Sequence, residues 1–363
     1  MSTKATDTVE VHAADESEQE LLFELRREIY VEEMNLRDLE SGDDLQLTDE
    51  QDPWARHLIA TVDGEIAGSL RLNFGADAPF SESTVEMYQL EPFLEVMPRE
   101  RIVYCNWFFV RQAYRGSMLP LELFAKATEL GNEVGCELVF CGAQPHMIRM
   151  YEALGFQSYG RAVNDPEWGV WMPLILLLDV DHLSTINSPL LSFGVKDRVA
   201  SEFARDAAAL LPQTPAVRPG EAAGPDFAEP AGEERPALLR GLDEDELRSV
   251  LEHSYVLDLA EGDSLIRAGQ ITRTVYLILE GELEARDGTR VVRKMGTGEL
   301  LGEVAFVLNA ERSLDIVVCS ESASVLGLHE PTLRTMMDTH SRAAAALIWN
   351  ICQVLARRLA TAG

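Results

Sequence analysis

Positive charge is scarce in this sequence. Lys and Arg total 31 against 61 Asp and Glu, which gives a formal net charge of −30 over 363 residues. Proteins that bind nucleic acids contact phosphates through clustered Lys and Arg, so this balance argues against a nucleic-acid partner. It argues equally against an anionic membrane surface, whereas an anionic ligand in a local basic pocket stays compatible with it.

Cysteines and long apolar runs are also few. The five cysteines form no CxxC pair and no Cys/His metal spacing. This pattern favours free thiols in a reducing compartment and predicts no metal site. The N-terminus lacks the apolar core of a signal peptide, and the longest apolar run, residues 170–180, is interrupted by Pro173 and Asp179. We therefore expect a cytoplasmic protein without a membrane span.

Changes in composition divide the chain into four parts. Residues 1–18 are polar and predict a flexible tail. Residues 19–190 alternate helical and strand patterns and predict a mixed α/β domain. Residues 191–236 predict a connecting helix and a linker rich in Pro, Ala, Gly and Glu. Residues 237–363 predict a mainly β domain, because short strand patterns alternate with glycine turns between flanking helices.

An Arg-Gly turn joins a predicted strand to a predicted helix in Phe109–Phe124 (FVRQAYRGSMLPLELF). A helix start presents free N–H groups and the positive end of the helix dipole, which suits a phosphate. Gly116 allows a close backbone approach, and Arg111 and Arg115 add bidentate donors. Taken alone, these residues fit either a phosphate cradle or a solvated turn.

The order of elements from this turn to Tyr151–Phe156 (YEALGF) resembles the GNAT acyltransferase superfamily, over roughly residues 20–182. The resemblance implies that the turn binds the pyrophosphate of coenzyme A, that the preceding strand pairs with the pantetheine arm, and that Tyr151 lies near the departing sulfur. The residues it assigns to acyl-CoA are Phe109, Val110, Arg111, Arg115, Gly116 and Ser117. Met118 and Pro120 replace small motif residues, so an acyl-carrier protein thioester is the alternative donor.

Three further segments, IYVEEMNL, DPWARHLIATVDGEIAGSLRLNF and MPLILLLDVDHLSTINSPL, resemble the N-acyl amino acid synthase branch, which is related to acyl-homoserine-lactone synthases. The resemblance implies acyl transfer from a thioester to the amine of an amino acid. Asp52, His57 and Arg71 fall at matching places. Arg71 is then expected to bind a carboxylate and Asp52 to orient the amine.

An ammonium group attacks a thioester only after it loses a proton, so this chemistry needs a general base or a water relay. The candidate bases are His57, Asp52 and Glu86, although a structural role for His57 is the simpler interpretation. Tyr151 is the candidate general acid toward the thiolate. A splayed central strand near Phe108–Val110 is expected to stabilise the oxyanion through N–H donors.

The second half of the chain contains residues 265–281 (LIRAGQITRTVYLILEG) and 298–314 (GELLGEVAFVLNAERSL), which resemble cyclic nucleotide-binding domains of β jelly-roll fold. The resemblance implies that Glu303 accepts a hydrogen bond from the ribose 2′-hydroxyl and that Arg312 neutralises the cyclic phosphate. The remaining residues of the implied anion site are Gly302, Val304, Ala305 and Ser313. Cyclic AMP is the expected ligand. Glu311 and Leu314 depart from the motif, so a barrel that has lost its ligand is the alternative.

These patterns together predict an N-acyltransferase regulated by a cyclic nucleotide. Its acceptor is a small-molecule amine, such as an amino acid, or a protein lysine. One alternative is a non-catalytic, nucleotide-responsive scaffold with a degenerate GNAT domain, and another is a constitutive acyltransferase with a purely structural barrel. The one-sided apolar pattern of residues 343–359 is also compatible with a homodimer.

Overall fold

The computed structural model describes residues 8–33, 46–165, 169–193, 200–212, 217–223 and 235–362. They divide into two compact units. Unit 1 contains residues 1–143, 150–160 and 173–214, and unit 2 contains residues 144–149, 161–172 and 215–363. Two short segments from the first half of the chain therefore belong to unit 2, which the sequence did not predict.

Strands and helices alternate in the first half of the chain, and strands dominate the second. The strands are β1 (Val9–Ala13), β2 (Arg56–Val62), β3 (Glu65–Phe74), β4 (Ile102–Val110), β5 (Leu138–Ala143), β6 (Gln157–Ser158), β7 (Val163–Asp165), β8 (Gly169–Leu177), β9 (Val217–Pro219), β10 (Tyr255–Ala260), β11 (Ser264–Ile266), β12 (Thr274–Glu280), β13 (Leu283–Asp287), β14 (Arg290–Met295), β15 (Leu300–Leu301), β16 (Asp315–Val318) and β17 (Ser322–His329). The helices are α1 (Glu16–Arg27), α2 (Glu82–Met87), α3 (Glu91–Val96), α4 (Leu119–Glu133), α5 (Ile148–Leu154), α6 (Val180–Thr185), α7 (Glu202–Ala209), α8 (Glu244–Glu252), α9 (Glu303–Leu308), α10 (Glu330–Thr339) and α11 (Ser341–Ala362). The predicted order, an α/β domain followed by a mainly β domain, is confirmed.

The sheet of the first half has the strand order β1-β2-β3-β4-β5-β8-β6. Strands β1 to β4 are antiparallel neighbours, and β4 runs parallel to β5. Asp63 and Gly64 both have positive φ, 51° and 85°, so they form the tight turn between β2 and β3 that an Asp-Gly pair favours. Aromatic and aliphatic side chains of α3, β4, β5, β8 and α7 form a core on this sheet.

The flexible tail predicted for residues 1–18 is wrong from Val9 onward. Strand β1 pairs with β2, from Val9 opposite Val62 to Ala13 opposite Leu58. Asp15 then caps α1 by accepting from the Glu18 amide, while the Glu18 side chain accepts from the Asp15 amide. Main-chain pairing at a sheet edge orders this polar segment, and composition alone does not report such pairing. Residues 1–7 lie outside the described residues.

The predicted linker is also partly ordered. Strand β9 pairs with β10, and the Arg218 guanidinium binds the Asp258 carboxylate with two 2.8 Å hydrogen bonds. The predicted connecting helix is shorter than its pattern, since α7 covers only Glu202–Ala209. The rest of these predictions, at 194–199, 213–216 and 224–234, lies outside the described residues.

The second half of the chain folds into two antiparallel sheets. One has the order β15-β12-β17-β10-β9 and the other the order β11-β16-β13-β14. Buried residues of the first sheet form one core with α8, α10 and α11. Among the described helices, none combines the length and apolarity needed to cross a membrane.

Two glycine turns of this half give a matched test of the fold. At Gly281, φ is +85° and a Cβ would overlap the Ser322 carbonyl, so we expect Gly281→Ala to lower the free energy of unfolding by about 3 kcal/mol or more. At Gly288, φ is +58° but no heavy atom lies within 4 Å of a Cβ, so Gly288→Ala should cost only about 1–2 kcal/mol. Urea unfolding of the two variants measures the difference, and equal losses would contradict the close approach at Gly281.

Candidate functional site

Strand β4 leaves its parallel neighbour halfway along its length. Pairing with β5 runs from Ile102 opposite Leu138 to Cys105 opposite Cys141, whereas β4 continues to Val110. On the other side, the register with β3 slips around Trp107, whose φ is +50°. This is a β-bulge, which re-aims side chains and interrupts pairing. Beyond Cys105, no described residue of β4 pairs with β5, so residues 106–110 are unpaired on that side. We call this unpaired side the gap between β4 and β5; it lies where the sequence analysis expects a splayed strand.

A buried cluster of opposite charges adjoins the bulge. The Asp52 carboxylate accepts from Arg26 Nη1 at 3.0 Å and from Arg71 Nη1 at 2.8 Å. Asp49 accepts from Arg71 Nη1 at 2.5 Å and from the Trp107 indole N–H at 3.0 Å. Both guanidinium groups are fully buried, so the two carboxylates neutralise charge that water does not reach.

The strand register positions this cluster. Arg71 in β3 lies opposite His57 in β2 and opposite Asn106 in β4, and its Nε donates to the Asn106 side-chain oxygen at 2.7 Å. Asp52 begins a 3-10 turn directly before β2, and its carboxylate also accepts from the Asp49 amide at 2.8 Å. The structure thus brings together the predicted residues Asp52, His57 and Arg71.

Three members of this cluster were missed from the sequence. Arg26 follows Leu22 and Leu25 on the buried face of α1, and a charged residue on an apolar face is a usable signal. Asp49 falls in an acidic stretch, residues 32–51, where no motif distinguishes one carboxylate from another. Trp107 lies over the Arg26 guanidinium at 4.5 Å and over that of Arg71 at 5.9 Å, contacts that depend on the bulge.

Burial and the neighbouring Arg26 guanidinium lower the pKa of His57 to about 4. The imidazole is therefore neutral at pH 7. Its Nε2 lies 3.7 Å from an Asp52 oxygen, and its ring packs edge-on against Phe23. Burial opposes ionisation of Asp49, but the bonded Arg71 keeps the pKa of that carboxyl below its usual value. At neutral pH an ionised Asp49 and a neutral His57 therefore lie beside the two guanidinium groups.

This histidine predicts a pH dependence of stability. The unfolded chain regains a His57 pKa near 6.5, so between pH 6.5 and about 4 only the unfolded state binds this proton. The contribution of His57 to stability is therefore fully present above pH 6.5. As the pH is lowered from 6.5 to about 4, the free energy of unfolding decreases by up to about 1.4 kcal/mol per pH unit because of this group. His57→Gln should remove the part of this pH dependence that His57 causes. A smaller dependence should remain, because burial also lowers the pKa of His146 and of His329. Urea unfolding at pH 7, 6 and 5 measures it, and an unchanged slope in the variant would refute this assignment.

Two other predicted catalytic residues lie apart from these charges. Tyr151 is buried in α5 among aromatic rings, with Phe124 at 5.6 Å and Phe156 at 5.4 Å. Its ring also meets Phe108 of the bulge at 6.5 Å, and burial raises the pKa of Tyr151 well above its usual value. The phenol is therefore protonated at neutral pH, as a proton donor must be. Glu86 is exposed on α2.

The predicted thioester turn directly precedes α4. Phe109 and Val110 pair with Ser69 and Gly68 of β3, and the chain then passes through a 3-10 turn to Gly116, where φ is +79°. The cationic side chains fold back onto the main chain, because Arg115 Nε donates to the Val110 carbonyl at 3.1 Å and Arg111 Nη1 to the Ile66 carbonyl at 3.4 Å.

Departures from the motif at the start of α4 are visible too. Pro120 occupies the first turn of the helix, where a missing N–H removes one phosphate donor. The side chain of Met118 is largely exposed, and the Ser117 hydroxyl accepts from the Leu119 amide at 3.3 Å. Gly116 has no heavy atom within 4 Å of a would-be Cβ, so the turn itself is open.

The second candidate site lies where β15 ends and α9 begins, within unit 2. Arg312 is buried and donates to Thr272 Oγ1 at 2.9 Å and to the carbonyls of Thr272, Thr274 and Gly302 at 2.8, 2.5 and 2.6 Å. Gly302 has φ +76°, and a Cβ there would overlap the Arg312 guanidinium, so only glycine fits. Glu311 and Ser313, on either side of Arg312, are exposed.

Glu303, like Arg312, is buried and bonded to other protein groups. This buried residue forms an ion pair with Arg358 of α11, and Arg358 Nη2 also donates to the Leu300 carbonyl at 2.6 Å. Ala305 is buried and Val304 is half exposed. The structure therefore brings the predicted residues Gly302, Glu303 and Arg312 together. It adds Thr272, Thr274 and Arg358, which the sequence analysis did not select because no motif marks them.

Two family models match the chain. The one described as N-acyl amino acid synthase FeeM matches residues 22–177, and the one described as cyclic nucleotide-binding domain matches residues 256–340. Among curated proteins, isozyme 1 of cGMP-dependent protein kinase from Drosophila melanogaster is 30% identical over 100 residues, covering 28% of this chain and 13% of the kinase. The chain thus spans about an eighth of the length of that relative.

Solved structures are similar to parts of the chain. A CoA-dependent acyl-homoserine lactone synthase, BjaI, solved with MTA, is 20% identical and covers 55% of this chain and 100% of its own, with a TM-score of 0.41. The regulatory domain of Toxoplasma gondii PKA, crystallised with cAMP, is 29% identical and covers 27% of this chain and 39% of its own, with a TM-score of 0.25.

The matched ranges contain the two sites described above. Residues 22–177 include the charge cluster and the splayed strand, and residues 256–340 include Gly302, Glu303 and Arg312. The chain carries an acyl-transferring synthase domain of the N-acyl amino acid synthase FeeM family, followed by a cyclic nucleotide-binding domain.

Proposed function

We propose that the first domain is a GNAT-type N-acyltransferase that joins an acyl group from acyl-CoA or an acyl-carrier protein to an amine, under control of a cyclic nucleotide. The observation that carries this proposal is the position of the neutralised charge cluster beside the gap between β4 and β5. The gap suits an extended thioester arm, which pairs with main-chain groups. Its N–H donors suit the oxyanion of the tetrahedral intermediate.

The cluster favours a free amino acid over a protein lysine as the acceptor. Arg71 Nη2 and Arg26 Nε are buried N–H groups without a hydrogen-bond acceptor among the described residues. Asp49 is the cluster's most accessible carboxylate, with one third of its side chain exposed, against 5% for Asp52. We propose that the acceptor carboxylate replaces Asp49 on Arg71, so that Asp49 is released to bind the acceptor ammonium.

This arrangement changes the roles first assigned to the two aspartates. Asp52 already accepts from Arg26, Arg71 and the Asp49 amide, so it holds the guanidinium groups in place. Asp49 takes the role of orienting the amine, and a water relay removes the ammonium proton. Neutral His57 packs against Asp52, with its Nε2 atom 3.7 Å from an Asp52 carboxylate oxygen. Tyr151, whose ring contacts Phe108, donates a proton to the departing thiolate.

Other features support the remaining parts of the proposal. Arg312 and Glu303 have the chemistry to bind a cyclic phosphate and a ribose hydroxyl, and cyclic AMP is the proposed ligand. All five cysteines are free, which fits a cytoplasmic protein. Trp349 and Leu359 expose most of their side chains on α11, which fits a homodimer.

The direct test is release of free thiol by the full chain from acetyl-CoA, a long-chain acyl-CoA or an acyl-carrier protein, with pooled amino acids or a lysine peptide as acceptor. We expect an N-acyl amino acid as product, identified by mass spectrometry. Asp49→Asn should raise the acceptor KM at least 10-fold, since it removes a charged contact worth about 1.5–3 kcal/mol. Asp77→Asn, in an exposed ion pair with Arg56, is the matched control. No thiol release from any donor would favour the non-catalytic scaffold instead.

A further inference from the structure

Residues 161–172 of the synthase sequence belong to unit 2 and contact the loop that precedes β12. Gln270 Nε2 donates to the Asp165 carbonyl at 2.9 Å, and Arg161 forms an ion pair with Asp263 at 2.8 Å. The approach is close, because a Cβ on Gly169 would lie 3.3 Å from a Thr272 methyl carbon. Residues 161–165 and the paired start of β8, residues 169–172, are thus held by residues 263–272, and these two described stretches are called the hairpin below.

The same loop holds Arg312, the residue expected to bind the cyclic phosphate. The Arg312 amide donates to the Gln270 carbonyl at 2.8 Å, and the Gly269 amide donates to the Arg312 carbonyl at 2.8 Å. The Arg312 side chain donates to the hydroxyl and the carbonyl of Thr272. Gln270 and Thr272 therefore contact the hairpin and Arg312 at the same time.

A second segment of the synthase sequence, residues 144–149, reaches the same arginine. The ring of His146 stacks on that of His329 with a centroid distance of 3.7 Å and an interplanar angle of 13°. His329 Nδ1 lies 3.2 Å from Thr274 Oγ1, and the Thr274 carbonyl accepts from Arg312 Nη2. Arg149 adds an ion pair with Glu221 at 2.7 Å. Both segments are therefore linked to Arg312 through a threonine of one short stretch, Thr272–Thr274.

Resting on the proposed function, we infer that this hairpin, residues 161–165 and 169–172, transmits nucleotide binding to the synthase domain. Arg312 donates four of its five N–H groups to protein acceptors, so a bidentate bond to a phosphate requires the guanidinium to leave at least one of them. Three of these four acceptors belong to Thr272 and Thr274, at the end of the loop that holds the hairpin. A cyclic phosphate and the hairpin therefore favour different arrangements of residues 267–274, which is the requirement for coupling between two ligands of one element.

Chain continuity carries the change onward. Strand β8 runs without interruption from Gly169 to Leu177 and neighbours β5, the strand that borders the gap. Helix α5 runs from Ile148 to Leu154 and carries Tyr151. Loosening either segment changes an element that continues into the acyl-transfer site.

The test uses the full chain with the double variant Arg161→Ala/Gln270→Ala, which removes the hairpin's ion pair and its Gln270 side-chain bonds but keeps Arg312. Because coupling is reciprocal, the variant should bind cyclic AMP roughly 5-fold more tightly than the parent in calorimetry. In the parent, cyclic AMP should accelerate amide hydrogen exchange across residues 161–172 several-fold. In the variant, exchange there should already be fast, and acyl transfer should stay at the nucleotide-saturated rate with or without cyclic AMP.

The matched control is Arg248→Ala, which removes an exposed ion pair with Asp245 on α8 and should behave as the parent in all three measurements. Unchanged affinity, together with a parent-like exchange response in the double variant, would overturn the inference, and so would failure of the parent to bind cyclic AMP or cyclic GMP. If the exchange response appears but no donor releases thiol, the coupling stands and the proposed enzyme activity fails. The single variant Gln270→Ala is expected to show about half of the change in cyclic AMP affinity and in hydrogen exchange. It provides the test if the double variant does not fold.

Discussion

Replacing Asp52 with asparagine is expected to abolish acyl transfer and to lower the free energy of unfolding by about 3–5 kcal/mol. The carboxylate of Asp52 is nearly buried and accepts from the fully buried guanidinium groups of Arg26 and Arg71. An amide in its place leaves two buried positive charges with only Asp49 to neutralise them. The amide NH2 group of the asparagine would also face an N–H donor of Arg26 or Arg71, where no hydrogen bond can form. Urea unfolding of the full chain and the thiol-release assay measure the two effects.

A matched control separates the buried site from charge removal in general. Asp77 pairs with Arg56 at 2.9 Å, but both side chains are 36% exposed, so Asp77→Asn should cost at most about 1 kcal/mol. Equal losses in the two variants would show that the cluster is not held by its charge balance.

A second substitution tests the mechanism further. Arg26→Met in the Asp52→Asn background removes one of the uncompensated charges, so it should recover part of the stability without restoring activity. Purely additive losses would contradict the shared ion pair. The double-mutant cycle therefore distinguishes a charge network from two independent side chains.

Local signals in the sequence predict most of the elements around these sites. The Asp63-Gly64 turn locates the β2–β3 hairpin, because two successive residues with positive φ favour this pair. The β-branched and aromatic run of Ile102–Val110 predicts β4, and Gly135, with φ +78°, follows α4. Each of these signals lies within the element that it specifies.

The charge cluster could not be predicted in the same way. Its contacts depend on the register of three strands, which places His57, Arg71 and Asn106 side by side, and on the bulge at Trp107. A one-residue change of register would move every one of these side chains to the opposite face of the sheet. Asp52, His57 and Arg71 were selected from a family resemblance, whereas Asp49 required the structure and Arg26 is marked only by its place on the apolar face of α1.

Edge strands explain the other differences. The segments of β1 and β9 are polar or proline-rich, and each is ordered by main-chain bonds to a neighbour distant in sequence. The same applies to Thr272 and Thr274, whose carbonyls accept from Arg312. Backbone acceptors carry no residue-type signal, so a sequence motif does not mark them.

The second large effect is expected for Arg312→Met. A methionine keeps much of the side-chain volume but cannot donate a hydrogen bond or neutralise a phosphate. Loss of a charged, desolvated contact of this kind costs about 2–5 kcal/mol, which corresponds to roughly a 30-fold to several-thousand-fold weaker affinity for cyclic AMP. Calorimetric titration of the full chain with cyclic AMP measures the loss. Acyl transfer should not be abolished, because Arg312 belongs to the other unit, and loss of its bonds to Thr272 and Thr274 should shift the ligand-free rate toward the nucleotide-saturated rate.

The same variant also tests whether Arg312 supports the fold in the absence of ligand. Without its guanidinium, the carbonyls of Thr272, Thr274 and Gly302 lose a donor, so stability should fall by a few kcal/mol, at about 1–3 kcal/mol for each carbonyl left buried and unsatisfied. Arg248→Met, which removes an exposed arginine paired with the exposed Asp245, is the control and should change neither affinity nor stability by more than about 1 kcal/mol. Weaker binding with unchanged stability would mean that the guanidinium serves the ligand alone. Loss of both would show that one arginine supports the ligand-free loop and binds the phosphate, so that the two roles compete.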